Sequence, residues 1–188
     1  MARLRSPEKR RAILEATVEE IAQSGLGAST SKIARRAGIA EGTLFTYFST
    51  KEDLLNQLYL ELKTEVYERV NKAFPKEGDL RVRIQNIWTS YLDWAIENPL
   101  KRKASVQLNV SDILSAETRA SSTEQRRNIH DALHELGQRC AIYDLPPGFA
   151  ASSLSAMQEA AMDLIAKQPK QRKLLTERAF DAFWRIFS

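Results

Sequence analysis

Residues 25–51, GLGASTSKIARRAGIAEGTLFTYFSTK, leave no room for a long helix and show no alternation that would make a strand. Glycines that stop helices stand at 25, 27 and 38, and hydroxyl residues that start helices stand at 29 and 49. Ser29 as N-cap and Gly38 as terminator bracket one helix of about 30–37. A second, barely two turns long, fits about 42–48. Helices this short are marginal alone, so each must pack on the other and on a longer neighbour. Yet the second carries Thr43, Phe45 and Tyr47 beside Leu44 and Phe48, more aromatic surface than so short a helix can bury.

The rest of the chain reads as helix throughout. Apolar residues recur at spacings of three and four, with no sustained alternation. Pro7 suits the start of a first helix running to Ser24, with Ile13, Thr17, Val18, Ile21 and Ala22 inward. Ser49 to Glu52 has the form of a capping box and opens a long helix to about residue 73. Further helices are predicted near 80–97, 102–114, 117–143, 148–167 and 171–187, separated mainly by prolines and small polar residues. The expected fold class is all-α: a three-helix helix-turn-helix domain over residues 1–50, then a connector helix and a helical bundle over 51–188.

Charge points to the amino-terminal part as the site of contact with a partner. The net charge is +4 over 188 residues, and residues 1–51 hold nine Lys or Arg against five Glu, so the whole excess lies there. That is the footprint expected of a phosphate-facing module on a neutral body. The lone Cys140 rules out an internal disulfide, no apolar run reaches the length of a membrane span, and the charged amino terminus lacks a leader's apolar core. A cytoplasmic location is expected, without membrane, metal or cofactor.

The chemistry of the segment fits DNA. Ala34 and Ala37 allow close helix crossing, and Ile33 and Ile39 plug the core. Gly42 lets backbone approach a partner, and Thr43 can bond a base edge and set its methyl on a thymine methyl. Leu44 and Phe48 face inward, leaving Phe45 and Tyr47 outside, where Tyr47 can bond a phosphate. Ser29 and Ser49 open helices whose free N–H groups favour anions, with Thr30 and Lys51 beside them. Lys32, Arg35 and Arg36 flank the buried pair Ile33 and Ala34, and Lys32 and Arg36 are taken as solvent-facing contacts. Glu41 has two readings, acceptor from a cytosine amino group or a solvated residue that repels phosphate. Arg3 and Arg5 precede the first helix as a tail that can reach a minor groove or stay disordered.

The pattern IARRAGIAEGTLFTYFSTKEDLL resembles the tetracycline-repressor (TetR) family of bacterial transcriptional regulators over about residues 9–60. By that resemblance Ser29, Thr30, Gly42, Thr43, Phe45, Tyr47 and Lys51 fall where the family touches DNA. Phe45 stands where the family commonly has tyrosine, so a phosphate hydrogen bond is missing there. The resemblance implies a dimer on an inverted-repeat duplex operator, and a small-molecule effector in the carboxy-terminal domain that changes DNA affinity. A chromosome-associated DNA-binding protein without an effector is the alternative.

Beyond residue 80 no motif names a ligand. Trp88, Tyr91 and Leu92 share a face that either packs or lines a pocket. His130 and His134 lie four apart in HDALH, on one helix face. Two histidines without a third ligand make pocket-lining or surface residues rather than a metal site, and an enzyme is not expected. In the last two helices Ser153, Met157, Ala160, Leu164, Phe180, Phe183 and Trp184 give more apolar circumference than one internal face needs. They are assigned to a dimer interface.

Overall fold

The computed structural model describes residues 6–75, 78–121, 126–139, 145–146 and 148–187. Arg3, Arg5, Cys140 and Tyr143 lie outside the described residues. Among those described there is no strand. The helices are α1 (Pro7–Ser24), α2 (Thr30–Arg36), α3 (Glu41–Tyr47), α4 (Lys51–Lys72), α5 (Leu80–Glu97), α6 (Pro99–Asn109), α7 (Ala116–Ala120), α8 (Arg127–Arg139), α9 (Gly148–Lys167) and α10 (Arg172–Trp184), the last preceded by a 3-10 turn at Pro169–Gln171.

The chain forms two compact units. The first comprises residues 1–64 and 98–121, the second residues 65–97 and 122–188. Helix α4 therefore contributes residues to both, and α6 and α7 belong with the amino-terminal helices.

In the first unit α1 starts on the Ser6 hydroxyl, which accepts from the Lys9 amide, and Gly25 ends it with φ 77°. Ile13, Ile21, Ile33, Leu44, Phe48, Leu54, Leu55 and Leu58 are each no more than 1% exposed and form one core. Burying each such side chain is worth about 1.5–3 kcal/mol. Helix α6 packs against α1. Its Gln107 amide donates to the Ile21 carbonyl, which also accepts from Gly25 N–H. This serves a carbonyl in the last turn of α1.

In the second unit α5 packs against α8, α9 and α10. The Trp88 ring is fully buried and stacks on Phe183 at 5.8 Å, with Phe180 tilted at 5.9 Å. Its indole N–H donates to the Thr176 carbonyl at 3.1 Å, so both the apolar body and the polar edge are satisfied.

Three expectations change. The helix predicted over 117–143 is broken: α7 ends at Ala120, Ser121 leaves helical geometry at φ −52°, ψ 108°, and α8 starts at Arg127. Ser121 carries a hydroxyl, a side chain that competes with the backbone for its own hydrogen bonds. The helix predicted at 102–114 begins earlier, at Pro99 after Asn98, and ends at Asn109. The cap of α4 is shifted by one residue. Thr50 Oγ1 accepts from the Asp53 amide at 3.0 Å, and Asp53, not Glu52, reaches back to the Ser49 amide at 2.8 Å.

Candidate nucleic-acid interface

Helices α2 and α3 form a helix-turn-helix whose turn the local chemistry dictates. Ser29 Oγ accepts from the Lys32 amide and caps α2. Gly38 takes φ 69°, and Ile39 N–H then bonds back to the Ala34 carbonyl at 3.0 Å, closing the helix end. Ile33, Ala34, Leu44 and Phe48 are buried, as the apolar spacing requires. That pins one side of α3 inward.

Its other side faces out. Glu41, Gly42, Phe45 and Thr46 are exposed, Phe45 to 43%, while Thr43 and Tyr47 are half-buried. No atom lies within 4 Å of where a Cβ on Gly42 would sit, so nothing inside the chain demands glycine at that position. Ser29, Ser31, Lys32 and Arg35 are exposed on and before the neighbouring α2. Thr46 was not picked out from the sequence, though it lies four residues from Gly42 on the same row; its hydroxyl donates to the Gly42 carbonyl at 3.2 Å.

Several of the polar candidates hold the module together. Tyr47 Oη accepts from the Ser6 amide at 3.0 Å, tying α3 to the start of α1 and leaving its own proton to donate elsewhere. Lys51 Nζ donates to the Leu26 carbonyl at 2.8 Å, one of its three donor positions. Thr30 donates its hydroxyl to Glu41, linking the first residues of α2 and α3.

Arg36 is drawn away from the outer face. Its guanidinium bonds Glu20 at 2.7 Å, Glu19 at 2.6 Å and Gln23 at 3.0 Å, all on α1. The Glu20 bond, ahead of the Glu19 one, raises its pKa above the ordinary arginine value. Glu20 is buried, and an unpaired carboxylate there would be costly, so Arg36 serves the α1–α2 contact. At the start of α4 the Glu52 carboxyl lies below its ordinary value, through a hydrogen bond with its own backbone N–H and then one with Thr50.

The residues assigned to a ligand pocket do not come together as expected. Trp88 and Leu92 are core, the former held by α10. His130 and His134 stack at 6.1 Å on the exposed side of α8, beside Asp131 and Gln138, because Ile129, Ala132 and Leu136 take the inner side. Among the described residues no group of three His, Cys, Asp or Glu could hold a metal. Tyr91 is half-buried, 6.0 Å from the Trp94 ring, and donates to Glu159; Trp94 Nε1 donates to Glu65 at 3.1 Å. The amide nitrogen of Gln158 on α9, a residue only 5% exposed, has no hydrogen-bond partner among the described residues.

The dimer candidates divide in the same way. Phe180 and Phe183, at 1% and 0% exposure, already fill the interior of the second unit and offer nothing to a partner. Ser153, Met157, Ala160 and Leu164 form an outward row on α9, with Leu164 45% exposed. Leu175, Ala179, Ala182 and Ile186 repeat the same spacing along and just beyond α10, with Ile186 44% exposed. Trp184 is half-buried, with the Arg139 guanidinium 5.2 Å from its ring.

The comparisons agree with this geometry. Residues 13–58 match the family model described as bacterial regulatory proteins, tetR family. A tetR family transcription regulator from Shewanella sp. PV-4 superimposes with TM-score 0.78 at 27% identity, over 97% of this chain and 98% of that one. The fatty acid metabolism regulator protein of Bacillus subtilis (strain 168) is 29% identical over 122 residues, 64% of this chain and 58% of its own. Nucleoid occlusion factor SlmA of Aliivibrio fischeri (strain MJ11) is 31% identical over 102 residues, 53% of this chain and 52% of its own. The matches thus span a little over half the length of these curated relatives. Fold and turn define a helix-turn-helix protein of two helical units. Residues 13–58 carry the amino-terminal domain of bacterial regulatory proteins of the tetR family, and the fold is similar to that of a tetR family transcription regulator.

Proposed function

We propose that this protein is a dimeric, sequence-specific DNA-binding transcriptional regulator, a repressor whose DNA affinity a small molecule changes. Residues 1–50 serve as the reading module; residues 51–188 supply the connector, the effector site and the dimer contact. The observation that carries the reading is α3 itself. A seven-residue helix keeps Phe45 43% exposed and places an uncrowded Gly42 on the same surface, beside the cations of α2. An exposed aromatic next to a glycine that its own fold does not need suits a surface that a duplex covers.

In this reading Gly42, Thr43 and Phe45 meet base edges in a major groove, while Ser29, Lys32, Tyr47 and Lys51 meet phosphates. Arg36 drops out, its guanidinium being committed to α1. The outward rows of α9 and α10 pair with those of a second copy into a four-helix contact, the small residues Ser153, Ala160, Ala179 and Ala182 permitting close approach. An effector takes its place beside Gln158 on α9, where a buried amide nitrogen is open to an acceptor. A ligand that favours one spacing of the two reading modules changes affinity by about 1–3 kcal/mol.

Selection of bound duplexes from a random pool tests the reading. An enriched inverted repeat with half-sites about one turn, ~34–36 Å, apart is expected; binding that only fades with salt, without enrichment, would sink it. The relation to a nucleoid occlusion factor favours a second reading, a chromosome-associated protein without effector. It predicts many sites spread over the genome and no small molecule that alters affinity.

One substitution separates charge from bracing. Lys51→Gln keeps an N–H for the Leu26 carbonyl and removes the cation. Affinity should fall for all duplexes alike, with the slope of log K against log salt smaller by about 1 in salt titrations. A change in base preference instead would contradict the phosphate role.

A further inference from the structure

The contacts proposed above leave the tie between Thr30 and Glu41 without a part. Glu41 is the first residue of α3 and is exposed. It lies four residues before Phe45 and three before the buried Leu44, at the edge of the exposed side of α3 next to α2. A carboxylate on a surface that meets phosphates weakens binding to every duplex unless it finds a donor there. Within the chain one of its oxygens, Oε1, accepts from the Thr30 hydroxyl at 2.5 Å. That bond occupies the threonine's only proton, so Thr30 cannot give it to a phosphate at the same time. It also fixes the direction of the carboxylate, because Thr30 is the first residue of α2 and is half-buried. The other oxygen, Oε2, remains an acceptor.

The base edges of the major groove sort themselves against such a group. Guanine and thymine present acceptors, which repel a carboxylate. Adenine presents an amino group next to the acceptor N7, so attraction and repulsion sit side by side. Cytosine presents an amino donor with no neighbouring acceptor on its own edge. We infer that Glu41 is a specificity-determining residue that selects a C·G pair at one position of each half-site, and that Thr30 is the positioning residue that aims it. The inference rests on the reading that α3 lies in a major groove.

Random-pool selection with wild type, Glu41→Gln, Glu41→Ala, Thr30→Val and Thr30→Ser tests it, since none of the four variants alters a buried group. Wild type should favour cytosine over other bases by about tenfold at one position per half-site. Glu41→Gln, which has both donor and acceptor, should shift that position toward adenine, and Glu41→Ala should flatten it. Thr30→Val should blunt the cytosine preference at that position only, and Thr30→Ser should restore it. A mere strap between α2 and α3 would not move one base position and spare the others. An enriched repeat whose base frequencies are shared by wild type and both Glu41 variants overturns the inference alone. So does a uniform gain in affinity in Glu41→Ala without change of preference. Thr30→Val indistinguishable from wild type overturns the positioning role. A wild-type pool without an enriched repeat overturns the groove reading and this inference together.

Discussion

Phe183→Ala should lower the stability of the protein by about 3–5 kcal/mol, as expected for emptying a fully buried aromatic site. The ring is 0% exposed and in contact with Trp88 at 5.8 Å, Phe180 at 6.4 Å and Phe187 at 5.0 Å. Its loss removes packing against three rings as well as transfer energy, and these neighbours are themselves large and cannot collapse into the gap. In a chain of this size the melting temperature should drop by on the order of 10 °C. Val82→Ala, at a side chain 45% exposed on α5, should cost well under ~1 kcal/mol in the same denaturation series. The comparison also decides between two roles for Phe183. A core residue destabilises the fold at every protein concentration, whereas an interface residue changes the concentration at which subunits separate. A loss under ~1 kcal/mol would contradict the core assignment.

Leu164→Arg should have the largest effect on binding. Leu164 is 45% exposed at the end of the row Ser153, Met157, Ala160, Leu164, so a charge there costs the isolated fold little. Across a two-fold axis the same substitution meets its own copy, and two desolvated cations face each other. The variant should sediment as a monomer where wild type sediments as a dimer. Its affinity for an inverted repeat should fall by at least ~100-fold, since the second half-site loses the benefit of being tethered to the first. A dimer that persists, or an unchanged affinity, would place the subunit contact elsewhere.

The parts of the structure legible in the sequence are those set by local chemistry. Pro7, Ser29 and Gly38 mark helix ends through their own hydrogen bonds and dihedral angles, and all three act where expected. The burial of Leu44 and Phe48 follows from spacing alone, which is why the outward face of α3 could be drawn in advance. What could not be read depends on which helix crosses which. Arg36 is one of three cations flanking Ile33 and Ala34, and only the crossing of α1 over α2 selects it for Glu19 and Glu20. The bond from Thr30 to Glu41 spans eleven residues and two helices, and no local rule joins them. Along α10 and the turn after it apolar residues are spread around the circumference among charged ones, so the sequence does not say that Phe180, Phe183 and Phe187 turn inward and leave Ile186 outside. For His130 and His134 the position is legible in the sequence. The phase of Ile129, Ala132 and Leu136 already puts both rings on the opposite side of α8. The return of α6 and α7 to the first unit has no marker in composition or charge.

The central claim is that α3 lies in a major groove in each of two half-sites. Thr46 is exposed on that helix, and Cys140 is the single cysteine of the chain. A DNA-cleaving reagent attached to the thiol of a Thr46→Cys variant in a Cys140→Ser background, on the enriched duplex, reports the position of α3 directly. The account predicts two clusters of cuts, offset as major-groove cleavage requires and about one helical turn apart. Cuts in the minor groove, or cuts spread evenly along the duplex, would contradict it.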